Sequence, residues 1–204
     1  MASKKNGSYP ISVKGELSDP PGRWLWLVKW LLAIPHFIIL VFLWLAFVVV
    51  AVIAFFAILF TAKYPRGLFN FNEGVLRWSW RVAFYSYSAL ATDKYPPFTL
   101  KPVKTYPADL EIAYPKQLSR GLVLVKWWLL AIPQYIIISI FQGTSGGGGL
   151  VFILAIFAAI ALLFTGKYSK DIFKLVVGLN RWIIRVAGYA ALMTDEYPPF
   201  RLES

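Results

Sequence analysis

Two long stretches of this chain carry no charge, and they limit what it can fold into more than any other feature. From Trp30 to Ala62 there is no Asp, Glu, Lys or Arg, and the same holds from Trp127 to Gly166. Uncharged apolar runs of about 18 residues or more are long enough to cross a bilayer. All 21 Lys and Arg and all 10 Asp and Glu lie outside them. The two runs raise the hydrophobic content to 58%, against about 45–50% for an ordinary soluble domain. The net charge of +11 suits either nucleic acid or the anionic cytoplasmic face of a membrane. The apolar runs favour the membrane, and no nucleic-acid motif accompanies the charge. With no cysteine, disulfide and thiol chemistry are excluded. The polar stretch from Met1 to Arg23 lacks a short apolar core followed by a cleavage site, so no cleavable signal peptide is expected.

The chain repeats itself. Leu27-Val28-Lys29-Trp30 matches Leu124-Val125-Lys126-Trp127, and Leu31-Leu32-Ala33-Ile34-Pro35 recurs as Leu129-Leu130-Ala131-Ile132-Pro133. Phe60-Thr61-Ala62-Lys63-Tyr64 recurs as Phe164-Thr165-Gly166-Lys167-Tyr168. Arg77-Trp78 and Arg81-Val82-Ala83 match Arg181-Trp182 and Arg185-Val186-Ala187. Thr92-Asp93 with Tyr95-Pro96-Pro97-Phe98 matches Thr194-Asp195 with Tyr197-Pro198-Pro199-Phe200. The blocks keep their order with small length changes. They divide the chain into a tail over 1–8, one copy over 9–103 and a second over 104–204.

Each copy has four parts. An alternating stretch (Ile11, Val13 and Gly15; then Leu110 and Ile112) suits a half-exposed strand. The apolar run follows, then a helix-length segment over about 68–91 and 171–192, then the Tyr-Pro-Pro-Phe tail, whose prolines favour extended chain. The leading and trailing stretches are expected to pair into a small sheet at the membrane surface. As single straight helices the two runs would measure about 50 and 60 Å, against a hydrocarbon core of about 30 Å. Either each run is a hairpin, or an interfacial helix ends at Pro35 or Pro133 and one crossing follows. Gly143-Thr144-Ser145-Gly146-Gly147-Gly148-Gly149 favours a hairpin with its tip there, because glycine costs a helix about 1 kcal/mol per residue. The first run has no turn residue near Leu43–Ala46, so its tip is inferred from the second copy. Hairpins also place every Lys and Arg on one side, as the positive-inside tendency prefers.

In the third part, Arg77 and Arg81 share a helix face, as do Arg181 and Arg185. With Asn70, Glu73, Gly74 and Ser88 the first pair forms a polar stripe, opposite Phe69, Leu76, Trp80, Ala83, Tyr87 and Leu90. That pattern predicts an amphipathic helix lying in the interface. The four arginines, with Lys29, Lys126, Lys63 and Lys167, are the candidate contacts for lipid phosphate or another anion. The bland alternative for the arginines is an exposed basic face or an internal ion pair with Glu73, Asp93 or Asp195. Lys29 and Lys126 are expected to snorkel outward. His36, the one histidine, is read as a polar packing contact rather than a proton shuttle or metal ligand, since Gln134 holds its place in the second copy. Asp93 and Asp195 are read as turn residues that satisfy backbone groups rather than as an acid–base pair. No metal or cofactor site is expected.

Taken together, these blocks resemble an uncharacterised bacterial membrane family labelled domain of unknown function 4389, common in actinobacteria. The resemblance covers both copies and implies a multi-pass membrane protein; it supplies no activity, substrate or catalytic residue. The expectation is therefore a mainly α integral membrane protein of two tandem repeats. Each repeat holds a transmembrane helical hairpin and an amphipathic interfacial helix, with short β-strands at the cytoplasmic surface. It would sit in a bacterial cell membrane with both termini cytoplasmic. It would act without catalysis as a scaffold or accessory subunit, binding anionic lipid or a partner membrane complex, as a homo-oligomer or a subunit of a larger assembly. The alternative is a small oligomeric transporter or channel.

Overall fold

The computed structural model describes residues 9–17, 21–143 and 148–203. The first copy holds strand β1 (Ile11–Gly15), a 3-10 turn at Leu25–Leu27, the 33-residue helix α1 (Lys29–Thr61) and then α2 (Arg66–Tyr85). In the second, β2 (Ala108–Ile112) precedes α3 (Arg120–Val125), a π turn over Lys126–Leu130, α4 (Ile132–Gln142), α5 (Leu150–Thr165) and α6 (Lys170–Ala190). Pro65 opens α2 and the Ser169 hydroxyl caps α6 by accepting from Ile172 N, so both third-part helices start where the chain favours a helix N-terminus.

The copies stack in three layers, and α2 shows the order. Its residues 73, 77, 80 and 84 fall on one line at 100° per residue. Glu73 Oε1 accepts from Ile112 N, Arg77 Nε donates to Leu110 O, Trp80 Nε1 donates to Lys14 O, and the Phe84 ring lies over Gly15. That face carries the β ladder. The opposite face carries α1: Trp78 Nε1 donates to His36 Nδ1, Trp44 Nε1 to Ser79 Oγ, and Val82 packs on Leu40. Asn72 reaches Phe47 O, Val82 lies on Leu40 and the Tyr85 ring lies against Lys29, so α2 runs antiparallel to α1. The expected interfacial helix is therefore a buried middle layer, covered on both faces, and its arginine stripe points at the ladder.

β1 and β2 pair antiparallel, with Val13 opposite Leu110. These two residues hold equivalent places in the two copies, so an approximate twofold axis runs through the ladder, normal to it. Such an axis gives both copies the same order of layers, with α1, α4 and α5 on the side away from the ladder. The copies also exchange parts. Arg77 of the first copy binds β2, while Arg181 of the second binds Val13 O of β1. Tyr9 donates to Glu196 O and Tyr106 to Lys94 O, each across to the other copy. The expected sheet forms from the two leading strands alone; the Tyr-Pro-Pro-Phe tails run extended beside α2 and α6.

The first apolar run is not a hairpin. It is one helix that continues through Pro35, because no residue near Leu43–Ala46 can end a helix. The second run divides at the glycine stretch, α4 ending at Gln142 and α5 beginning at Leu150. The proposed tip, with Ser145, lies outside the described residues. The second copy holds Trp127-Trp128 where the first has only Trp30. A π turn absorbs the extra residue, which is how one-residue insertions are accommodated within a helix. Among the described residues, α1 is the one helix long and apolar enough to cross a membrane. The segments Arg120–Leu130 and Ile132–Gln142, bent by 44°, meet that measure together. Along α1 only Lys29, Ala33, His36, Leu40, Phe47, Ala54 and Ile58 are buried. Its remaining apolar side chains are exposed or half-exposed, Phe42 at 66% and Leu45 at 62% among them.

Helix ends and close approaches give two substitutions of opposite sign. α1 ends on Ala62 in the left-handed region (φ 58°), where the second copy has Gly166 (φ 70°). Ala62→Gly should raise stability in detergent by about 1 kcal/mol by removing the Cβ penalty. Gly74 touches the tail, and a Cβ there would meet Leu100 Cβ at 2.7 Å. Gly74→Ala should lower stability by about 1–2 kcal/mol despite its better helix propensity. Thermal melts of the two variants check both signs.

Candidate functional site

The polar residues expected to meet lipid or another anion are largely inside the protein. Arg77 donates to Leu110 O at 2.7 Å and Leu100 O at 3.0 Å, and pairs with Glu73 at 2.6 Å. Arg81 is fully buried and donates to Thr99 O and Lys101 O at 3.2 and 2.7 Å, with Asp109 at 3.6 Å. Arg181 reaches Leu202 O at 2.6 Å. Arg185 reaches Arg201 O and Glu203 O at 3.3 and 2.8 Å and lies over the Tyr9 ring. Burial pushes the Arg81 guanidinium below its ordinary value against the pull of Asp109, and raises the Tyr106 hydroxyl above its own. These forks bind backbone carbonyls of the exchanged strands and of the residues after each proline tail. They do not form an exposed basic face.

Lys29 and Lys126 do not snorkel outward. Lys29 Nζ lies 2.8 Å from Asp93 Oδ1, donates to Thr92 O at 2.7 Å and sits 5.0 Å from the Tyr85 ring. Lys126 Nζ repeats the arrangement with Asp195 at 2.7 Å, Thr194 O at 2.9 Å and the Tyr189 ring at 5.7 Å. The other carboxylate oxygens accept from Gly22 N and Ser119 N. Each Asp therefore ties the start of its copy to its end, in keeping with the turn role read for both. The π turn keeps Lys126 and Gln134 in the positions that Lys29 and His36 hold in the first copy.

His36 Nδ1 accepts from Trp78 Nε1 at 3.1 Å, and its ring stacks on Phe98 at 4.1 Å between centroids. Gln134 makes the equivalent contact with Trp182 at 2.6 Å, and its amide also donates to Pro198 O at 2.9 Å. His36 Nε2 is buried without a partner among the described residues. The histidine thus occupies a packing position that an amide fills more completely. Among the described residues no cluster of His, Cys, Asp and Glu could hold a metal.

Of the candidate cations, Lys63 and Lys167 alone stand on the surface, just beyond the C-terminal ends of α1 and α5. Their backbone N–H groups donate to the hydroxyls of Thr61 and Thr165, and both residues are exposed.

Sequence reasoning missed a cleft of about 830 Å³ between the two copies. Its walls include Phe37, Val41, Trp44 and Leu45 of α1 and Phe152 of α5. Its polar lining includes Ser79, Ser86, Ser88 and Asn180. A signal for it was present in the repeat: Ser79, Ser86 and Asn180 align with Ile183, Ala190 and Leu76.

The family described as domain of unknown function 4389 matches the chain twice, over residues 23–99 and 122–201. The chain belongs to that family, with two copies in tandem. No curated protein and no solved structure matches it.

Two substitutions test these internal roles. Asp93→Ala should destabilise by about 3 kcal/mol, the low end for breaking a buried pair because Asp93 is partly exposed. Lys29→Met combined with Asp93→Asn should cost clearly less, since no buried ammonium is left alone. His36→Leu should cost about 1–3 kcal/mol by orphaning Trp78 Nε1, whereas His36→Gln should match or exceed the parent. Chemical or thermal unfolding in detergent reads all four variants.

Proposed function

We propose that this member of the domain of unknown function 4389 family is a non-enzymatic membrane protein, embedded from one face of the bilayer, that serves as a scaffold or accessory subunit. The observation that carries the reading is the apolar side formed by α1, α4 and α5. Leu45, Val48 and Ile53 on α1, Ile136 and Ile140 on α4, and Phe157 and Phe164 on α5 are all exposed. Charge is concentrated on the other side, where Lys14, Glu16 and Glu111 of the ladder face outward.

The layering argues for how such a protein sits. α1 lies flat in a layer parallel to the ladder. Standing α1 along the bilayer normal would carry the ladder and its charges into the hydrocarbon, at about 2.5–3.5 kcal/mol per charged residue. Lying in the plane, α1 meets lipid along its whole outer side while the ladder stays in water. A length of about 50 Å is then no obstacle. Trp24, Trp127 and Trp128, all exposed, suit the headgroup level. Lys63 and Lys167 are placed to meet lipid phosphates there. The basic side, with both ends of the described chain, is assigned to the cytoplasm.

The non-catalytic reading rests on how the titratable groups of the interior are used. Lys29, Lys126, Asp93, Asp195 and the arginines hold backbone and each other; Arg181, which borders a concavity of about 440 Å³, is itself engaged with Leu202 O and Val13 O.

The absence of cysteine makes the topology directly testable. Single cysteines at Lys63, Lys104 and Lys167 should all be silent to an impermeant maleimide in intact cells and all react after permeabilisation. Ile53→Cys should react in neither condition, being covered by lipid. Reaction of any of the three lysine-site cysteines from outside would mean that a helix crosses, and would sink embedding from one face.

A further inference from the structure

The cleft between the copies has an unusual combination of position and chemistry. Its mouth is bordered by Phe37, Val41, Leu45 and Phe152, all exposed on the apolar side of the molecule. A ligand entering there comes from lipid, not from water, so this inference rests on the membrane reading above. Its floor is polar but uncharged, and no Asp, Glu, Lys or Arg lines it among the described residues. Asn180 Nδ2 is engaged with Ser88 O and Val176 O, which leaves its side-chain oxygen as an acceptor. The Ser86 and Ser88 hydroxyls can donate or accept. The cleft continues between α2 and α6 into a chamber of about 400 Å³, bounded by Tyr135 and Ile138, that shares Ser79, Ser88 and Asn180.

The internal repeat shows that the fold does not demand this polarity. Where the first copy has Ser79 and Ser86, the second has Ile183 and Ala190; where the second has Asn180, the first has Leu76. Both sets support the same helices and the same layers. Ser86, Ser88 and Asn180 bring polar atoms to this cleft, whereas Ala190, at the place matching Ser86, and Leu192 line a separate apolar groove with Val48, Val52 and Phe56. Polar groups facing an apolar medium need partners there, and a ligand with its own hydrogen-bonding end supplies them.

We propose that the cleft holds one uncharged long-chain lipid bearing hydroxyl or ester groups, of the mono- or diacylglycerol type. Its chain lies among Phe37, Val41, Trp44 and Leu45, and its polar end meets Ser86, Ser88 and Asn180. An anionic headgroup is disfavoured because the floor offers it no cation. A volume of this order is in the usual range for a small-molecule site.

The test uses the whole protein in phosphatidylcholine vesicles with a monoacylglycerol probe carrying a diazirine beside its glycerol. After illumination, label should map to residues 79–88 and 180–183, saturate at about one probe per protein, and be displaced by unlabelled monoolein. Ser86→Ala with Asn180→Leu installs the residues of the other copy and should lower the apparent affinity about tenfold, through two lost hydrogen bonds. Ala83→Phe, which fills the cleft and leaves the polar groups intact, should abolish the saturable label. A melt of each variant confirms that it is folded. Labelling that rises in proportion to probe, that is confined to the outer side of α1, or that persists unchanged in both variants would overturn the proposal. So would equal labelling by an anionic diazirine fatty acid. Failure of the parent protein to float with the vesicles would instead remove the membrane reading itself, and this inference with it.

Discussion

The fold depends on guanidinium groups that hold backbone carbonyls across the boundary between the copies. A two-stranded ladder is marginal by itself, and an extended proline-rich tail has few internal hydrogen bonds. Arg77 and Arg181 bind the strand of the opposite copy, and Arg81 and Arg185 bind the residues that follow each tail. Arginine suits this work because its planar fork presents several donors in fixed directions and does not lose its charge. Without it, the carbonyls of Leu110, Lys101 and Glu203 would lose partners that an apolar residue could not replace. The Lys–Asp pairs play the complementary part at the other end of each copy, tying the entry of the apolar run to the end of the third-part helix.

Much of the architecture was legible in the sequence, for reasons that particular residues make plain. The repeat was legible because its blocks pair residue by residue. The strands were legible because Ile11, Val13, Leu110 and Ile112 alternate with polar neighbours. The break in the second run was legible from four consecutive glycines. The first run was misread because its tip was borrowed from the second copy, although Leu43–Ala46 contain nothing that ends a helix. A difference between repeats was treated there as a blemish on a shared pattern, when it was the information.

The same lesson applies to the candidate site. Spacing put Arg77 and Arg81 on one helix face correctly, but an amphipathic pattern does not say what covers the polar side. Here it is the ladder and the tails, so five of the eight candidate cations are buried and a sixth, Arg181, is half-buried. The cleft was missed because its residues, Ser79, Ser86, Ser88 and Asn180, belong to different helices and turns of different copies. They converge only through the twofold arrangement. Their one local sign was that each of Ser79, Ser86 and Asn180 faces an apolar residue at the matching place.

The exchange of strands between the copies has a further consequence for assembly. β2 packs mainly on α2 and β1 on α6, with Trp80 of its own copy adding one hydrogen bond to β1, so each strand depends on the helix of the other copy. A chain with a single copy would reach the same arrangement only as a symmetric homodimer, with each protomer lending its strand to the other. In the tandem chain, covalent linkage makes that association independent of concentration. It also frees the two halves to differ, so that one groove can gain polar atoms while the other stays dry.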